Sequence, residues 1–141
     1  MSFREKSAWI SLFANLAIYG FYFAKVGSAL MRGELDRLSV FGLFMACLIA
    51  FVVVIVVLTV ITAVLAPKEA SAPADEREKR ISLRGMSLGY FVMAGGVVMA
   101  MGAACFGSNG MVIANALFFT LVLAEVARDG TQIFYYRRGI G

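Results

Sequence analysis

Apolar residues run in four long blocks along this chain, and polar residues gather in the short stretches between them. No charged side chain lies between Arg37 and Lys68, and none between Arg84 and Glu125. About 20 mostly apolar residues cross ~30 Å of hydrocarbon as a helix, so the blocks predict membrane spans. The first runs from about Ala8 to Ala24, with Trp9 near one end and Tyr19 and Tyr22 near the other, as interfacial aromatic belts are arranged. The second, about Leu38 to Ala66, has a Val/Ile-rich centre from Phe51 to Val60. In water those β-branched residues suggest a strand, but a lone strand in lipid leaves its backbone unsatisfied, so a helix is expected. The third runs from about Gly85 to Cys105, and the fourth begins at about Met111. Arg4 and Lys6 before the first block, with Gly27-Ser28-Ala29 after it, have the layout of a secretory signal. The length of the block and Asn15 within it favour a retained span.

Composition agrees with a membrane setting. Of 141 residues, 61% are hydrophobic and 16% charged, against roughly 45–50% and 25% in soluble domains. The net charge of +4 reflects basic residues that lie beside the spans, where they set orientation. With the N-terminus inside, ten of the 13 Lys and Arg residues fall on the inner side: Arg4, Lys6, Lys68, Arg77, Lys79, Arg80, Arg84, Arg128, Arg137 and Arg138. Lys25, Arg32 and Arg37 fall outside, partly offset by Glu34 and Asp36. Both termini are therefore expected in the cytoplasm of a cell whose inner membrane holds the chain. The uncharged loop from Phe106 to Gly110 makes spans three and four a tight antiparallel hairpin.

Both prolines fall in the linker Pro67–Ala74, which halves the chain. After it, Asp75 is placed to cap a helix, Glu78 sits at the reciprocal capping position, and Glu76 to Arg80 is an i,i+4 pair. The N-terminus has a similar start at Ser2-Phe3-Arg4-Glu5. At an offset of 71 residues Ile10-Ser11-Leu12 matches Ile81-Ser82-Leu83, Glu5 matches Glu76 and Tyr19 matches Tyr90. The expected fold is an all-α, integral membrane four-helix bundle made of two similar two-span hairpins in parallel orientation. Its parts are residues 1–66, a cytoplasmic linker and helix start at 67–84, and 85–141 with a basic tail.

The central Ala-Pro-Lys-Glu-Ala and Ala-Asp-Glu-Arg-Glu runs, Gly89-Tyr90, and the terminal Tyr135-Tyr136-Arg137-Arg138-Gly139 resemble a family of small, uncharacterised four-span membrane proteins of bacteria and archaea. The resemblance covers most of residues 66–141. It implies no reaction, but it does imply a possible partner, because some similar proteins pair with a DNA-binding regulator. Relatives of this type often carry a strongly polar residue late in span two, where this chain has only Thr59 and Thr62.

Candidate chemistry concentrates in the fourth span. Glu125, Arg128, Asp129 and Gln132 are spaced i, i+3, i+4 and i+7, which puts them on one helix face. If the span continues to Tyr135-Tyr136, Glu125 lies ~21 Å from one end and ~16 Å from the belt, near mid-membrane. Charges there must pair, and Asn15, Asn115 and Thr120 are candidate neighbours. Alternatively the span ends at Ala127, Gly130 terminates the helix, and Arg128 and Asp129 are wetted. In span three, Ser87, Gly95, Gly96, Gly102, Ala103 and the Gly85/Gly89 pair allow close helix approach, as a dimer seam or within one bundle. Met93, Met99 and Met101 read as gap fillers, and Cys47 and Cys105 as small apolar side chains in packed helices.

The absence of His removes Ser-His and Cys-His pairs, zinc helix motifs and the commonest haem ligand. No Gly-rich loop ends in Lys-Ser or Lys-Thr. No catalytic residue, metal site or cofactor is expected, and no direct nucleic-acid contact. The primary expectation is a non-enzymatic inner-membrane sensor or regulatory subunit. Its contacts with a cytoplasmic partner, or with membrane lipids, would come from Arg77, Lys79, Arg80, Arg84, Arg137 and Arg138. The alternatives are a small cation or proton-coupled exporter using Glu125, and a structural subunit of a larger membrane complex.

Overall fold

The computed structural model describes residues 3–34, 36–71, 73 and 75–139. Ser2, in the expected N-terminal helix start, and Ala72 and Ala74, in the expected linker, lie outside the described residues. The regular structure of the described residues is all α-helix: α1 Phe3–Arg32, α2 Arg37–Leu65, the short α3 Pro67–Ala70, α4 Glu76–Cys105 and α5 Gly110–Arg138. The four long helices have 29 or 30 residues and are long and apolar enough to cross a membrane. At 1.5 Å per residue each is ~44 Å long, more than the ~30 Å hydrocarbon layer, so its ends reach the headgroup region. The excess explains why α1 begins before Ala8 and α4 before Gly85. The flanking Glu, Lys and Arg residues are good helix formers and extend the helices beyond the apolar blocks.

Two compact units divide the chain, residues 1–70 and 71–141. In the first, α1 ends at Gly33 (φ 69°), and the Glu34 amide donates back to the Ala29 carbonyl at 3.0 Å, a left-handed C-terminal cap. Asp36 then caps α2, accepting from the Ser39 amide at 3.0 Å and from the Ser39 hydroxyl at 2.9 Å. One stripe of α1 is buried, comprising Ala8, Ala14, Asn15, Tyr19, Tyr22 and Val26. Tyr19 meets Phe51 with ring centroids 5.0 Å apart, and Tyr22 meets Phe44 edge-on at 6.3 Å. The two tyrosines are therefore packing residues, not the expected interfacial belt: α1 continues well past them to Arg32, and Tyr22 is only 2% exposed. On α2, the most apolar helix, Cys47 alone is buried.

The second unit repeats this plan. α4 and α5 are joined by residues 106–109, where Gly107 (φ 79°) closes α4 and Ser108 donates to the Ala103 carbonyl at 3.2 Å. The Asn109 side chain caps α5 by accepting from the Met111 amide at 3.1 Å. Asp75 caps α4, accepting from the Glu76 amide at 2.7 Å, and the expected Glu76–Arg80 pair forms at 3.9 Å. Helix limits in this unit follow those of the first at a constant offset of 73 residues. The motif match at 71 therefore misses structural equivalence by two residues, a turn of ~200° about the helix axis. At the structural offset, buried Ala8 corresponds to fully buried Ile81.

Glycines set how closely α4 and α5 approach. A Cβ on Gly85 would lie 2.9 Å from the Arg128 carbonyl oxygen, and one on Gly89 would lie 3.1 Å from that of Ala124. A Cβ on Gly96 would collide with the Thr120 side chain. The Gly85/Gly89 pair thus serves packing within the hairpin, whereas a Cβ on Gly95 or Gly102 would meet nothing within 4 Å. α5 passes straight through Gly130 and ends at Gly139, which takes the left-handed conformation (φ 65°). This excludes a helix terminated at Gly130: a glycine needs no Cβ contact to sit in a helix, and packing on α4 carries α5 onward.

Candidate functional site

The polar face expected on the fourth span is partly assembled. Arg128 is its centre. Its guanidinium Nη2 lies 2.6 Å from Glu125 Oε2, and Nη2 and Nε donate to Asp129 Oδ1 at 2.9 and 3.0 Å. The Arg128 and Glu125 side chains are about one third exposed, and Asp129 is 2% exposed. Asp129 Oδ2 is buried with no hydrogen-bond partner among the described residues. The triad holds two carboxylates against one guanidinium, so it carries excess negative charge when all three are ionised.

Other expected members lie elsewhere. Gln132 is turned toward α4: its Cγ would be 2.7 Å from a Cβ on Gly85. Asn115 is ten residues before Glu125 and donates to its own helix at the Met111 carbonyl, 2.9 Å away. Thr120 bonds the Ala116 carbonyl in the same way at 2.9 Å. Asn15 belongs to the first unit. It is 1% exposed, and neither amide atom has a hydrogen-bond partner among the described residues. Cys47 is buried and Cys105 exposed at the end of α4, so only Cys47 behaves as a packed apolar residue; both thiols are free. Among the described residues, no three His, Cys, Asp or Glu side chains come together in an arrangement able to hold a metal ion.

Pairing with α4 sets the depth of the triad. Arg128 is level with Gly85, next to Arg84, the last charged residue of α4. Glu125 is level with about Gly89, ~6 Å further into the apolar stretch. The triad therefore sits within a turn or so of the charged end of α4, not at the centre of the apolar slab. That lowers the expense of burying its charges, because long side chains near a helix end reach the interface.

The basic candidates flank this end. Arg77, Lys79, Arg80 and Arg84 are exposed on the first turns of α4, around Ile81, which is 0% exposed. Arg84 lies over the Tyr135 ring at 5.0 Å and Arg138 over the Phe134 ring at 4.5 Å. A Cβ on Gly139 would be 4.0 Å from Arg77 Nη2, so the start of α4 and the end of α5 stand side by side. Beside them is a feature absent from the sequence reading. An open groove of about 470 Å³ is lined by Leu88 of α4 and by Val126, Ala127, Gly130, Thr131, Phe134 and Tyr135. The available signal was the i,i+4 spacing of Phe134 and Arg138.

Four apolar helices of spanning length define a multi-pass helical membrane protein, built as two hairpins of one design. Compared with known proteins, the chain matches no family model, no curated protein and no solved structure.

Proposed function

We propose that this is a non-enzymatic sensor or regulatory subunit of the inner membrane, both termini cytoplasmic, that works by holding a cytosolic protein. One observation carries the reading. Two basic segments more than 50 residues apart in sequence, Arg77–Arg84 and Arg137–Arg138, are packed into one helical platform at the same end of the second hairpin. A rigid platform avoids the ordering expense that a floppy loop meets on binding, and its charge favours a partner with an acidic surface. A DNA-binding regulator, the partner type implied by the sequence resemblance, is the specific candidate. A photo-cross-linker at Lys79 in living cells tests the proposal. Capture of a discrete soluble protein, lost in an Arg77→Glu/Arg80→Glu variant, is the expected outcome; recovery of lipid and self-contacts alone would reject it.

A second reading, a cation or proton-coupled exporter, draws on the excess carboxylate of the Glu125–Arg128–Asp129 triad. It predicts that Glu125→Gln abolishes coupled flux in liposomes. Flux equal to that of the unaltered protein would remove Glu125 from any coupling role.

A further inference from the structure

We infer that the groove between α4 and α5 is a binding site for one anionic glycerophospholipid, its acyl chain in the groove and its headgroup between Arg84 and Arg138. The inference rests on the membrane setting; it takes Arg84 and Arg138 from the basic platform and leaves Arg77, Lys79, Arg80 and Arg137 to a protein partner.

The groove has the chemistry of a chain site. Leu88 and Phe134 are exposed apolar side chains, and Val126, Ala127 and Gly130 form the floor between them. Gly130 creates the depression, since a Cβ there would meet nothing within 4 Å. Thr131 does not disturb this apolar lining with an unsatisfied hydroxyl, because it donates to the Ala127 carbonyl at 2.6 Å.

The mouth has the chemistry of a headgroup site. Leu88 and Arg84 are one turn apart on α4, and Phe134 and Arg138 one turn apart on α5, so each wall ends in a guanidinium. The rings beneath the two cations, Tyr135 and Phe134, both line the groove, and their centroids are 5.7 Å apart. Neither Arg84 nor Arg138 has a carboxylate partner among the described residues. Stacking on an aromatic ring holds a guanidinium in place while leaving its N–H edge open for phosphate oxygens. Basic pockets between spanning helices are a recurrent way to hold anionic headgroups. An apolar spanning helix in the groove would leave both cations without an anion.

The full-length chain, purified in mild detergent, is offered equal amounts of phosphatidylglycerol and phosphatidylcholine, and retained lipid is counted by native mass spectrometry. Preferential retention of one phosphatidylglycerol is expected. Arg84→Gln and Arg138→Gln should each lower it by about fivefold, the factor for one basic residue at an anionic surface. Gly130→Leu, which fills the groove, should lower it without lowering the thermal melt; Gly102→Leu, in open space elsewhere on α4, should leave lipid retention unchanged. Equal retention of the two lipids, or full retention in Gly130→Leu, overturns the inference. So does a dimer that Gly130→Leu dissociates while lipid counts stay constant, which would make a second copy the occupant.

Discussion

Arg128 binds two carboxylates at once, and the consequences of removing each partner differ. In Arg128→Leu, Glu125 and the 2% exposed Asp129 are left facing each other without a cation. A half-buried pair broken in this way should lose roughly 2–3 kcal/mol, read as a lower unfolding midpoint in detergent. Asp129→Asn removes a buried charge whose Oδ2 already lacks a partner, leaves Glu125 to neutralise Arg128, and should cost less than half as much. Equal losses in the two variants would show that the triad does not act as a charge balance. The helical spacing of 125, 128, 129 and 132 made the shared face legible. It did not show that Gln132 leaves the network to pack on Gly85, because that depends on which residue of a neighbouring helix lacks a side chain.

At the level of helices, the α4/α5 contact turns on a few missing Cβ atoms. Gly85→Ala places a methyl group 2.9 Å from a backbone oxygen that cannot rotate away, so the hairpin should lose about 1–3 kcal/mol. Gly95→Ala meets open space and removes a helix-weakening glycine, so it should be neutral or stabilise by up to ~1 kcal/mol. The thermal melt should fall in Gly85→Ala and hold or rise in Gly95→Ala. Both glycines look alike in a small-residue stripe, and only the docked helix separates them. The α2 cap makes a pH prediction. Bonds from the Ser39 hydroxyl and amide hold the Asp36 carboxyl below the usual carboxylate range. Its contribution is therefore complete at neutral pH and persists through pH ~4, then is lost as pH falls through the lowered value. Hydrogen exchange at the first amides of α2 should accelerate only in that acidic window, and at all pH values in Asp36→Ala.

For the molecule as a whole, the number and approximate place of the spans were legible because lipid demands long apolar runs and forbids unpaired backbone. Helix starts at Phe3 and Glu76 were legible from their polar first turns and the Asp75 cap; the end of α1 was less so, since it runs to Arg32, past the apolar block that stops near Ala24. The internal symmetry was visible at 71 residues but exists at 73, because a short motif match follows residue identity while the fold repeats helix length, the glycine-closed turn and the Asp36/Asn109 cap. The proposed topology predicts that reporters fused at residue 2 and after Gly141 are both active only when cytoplasmic reporters are used. A periplasmic reporter active at either end would reverse the assignment of the basic platform to the cytosol.

α2 has a different relation to selection from its three long companions. With Cys47 as its single buried residue and Phe44 and Phe51 as its ring contacts with α1, it is held to shape at a few positions and elsewhere mainly by solubility in oil. Shuffling the order of Val52 to Val60 among themselves, with Phe51 kept against Tyr19, should leave insertion and abundance intact, whereas the same shuffle applied to Gly85 to Ala94 should destroy the hairpin. Over generations, α2 is the stretch where neutral drift among Val, Ile, Leu and Phe can run fastest.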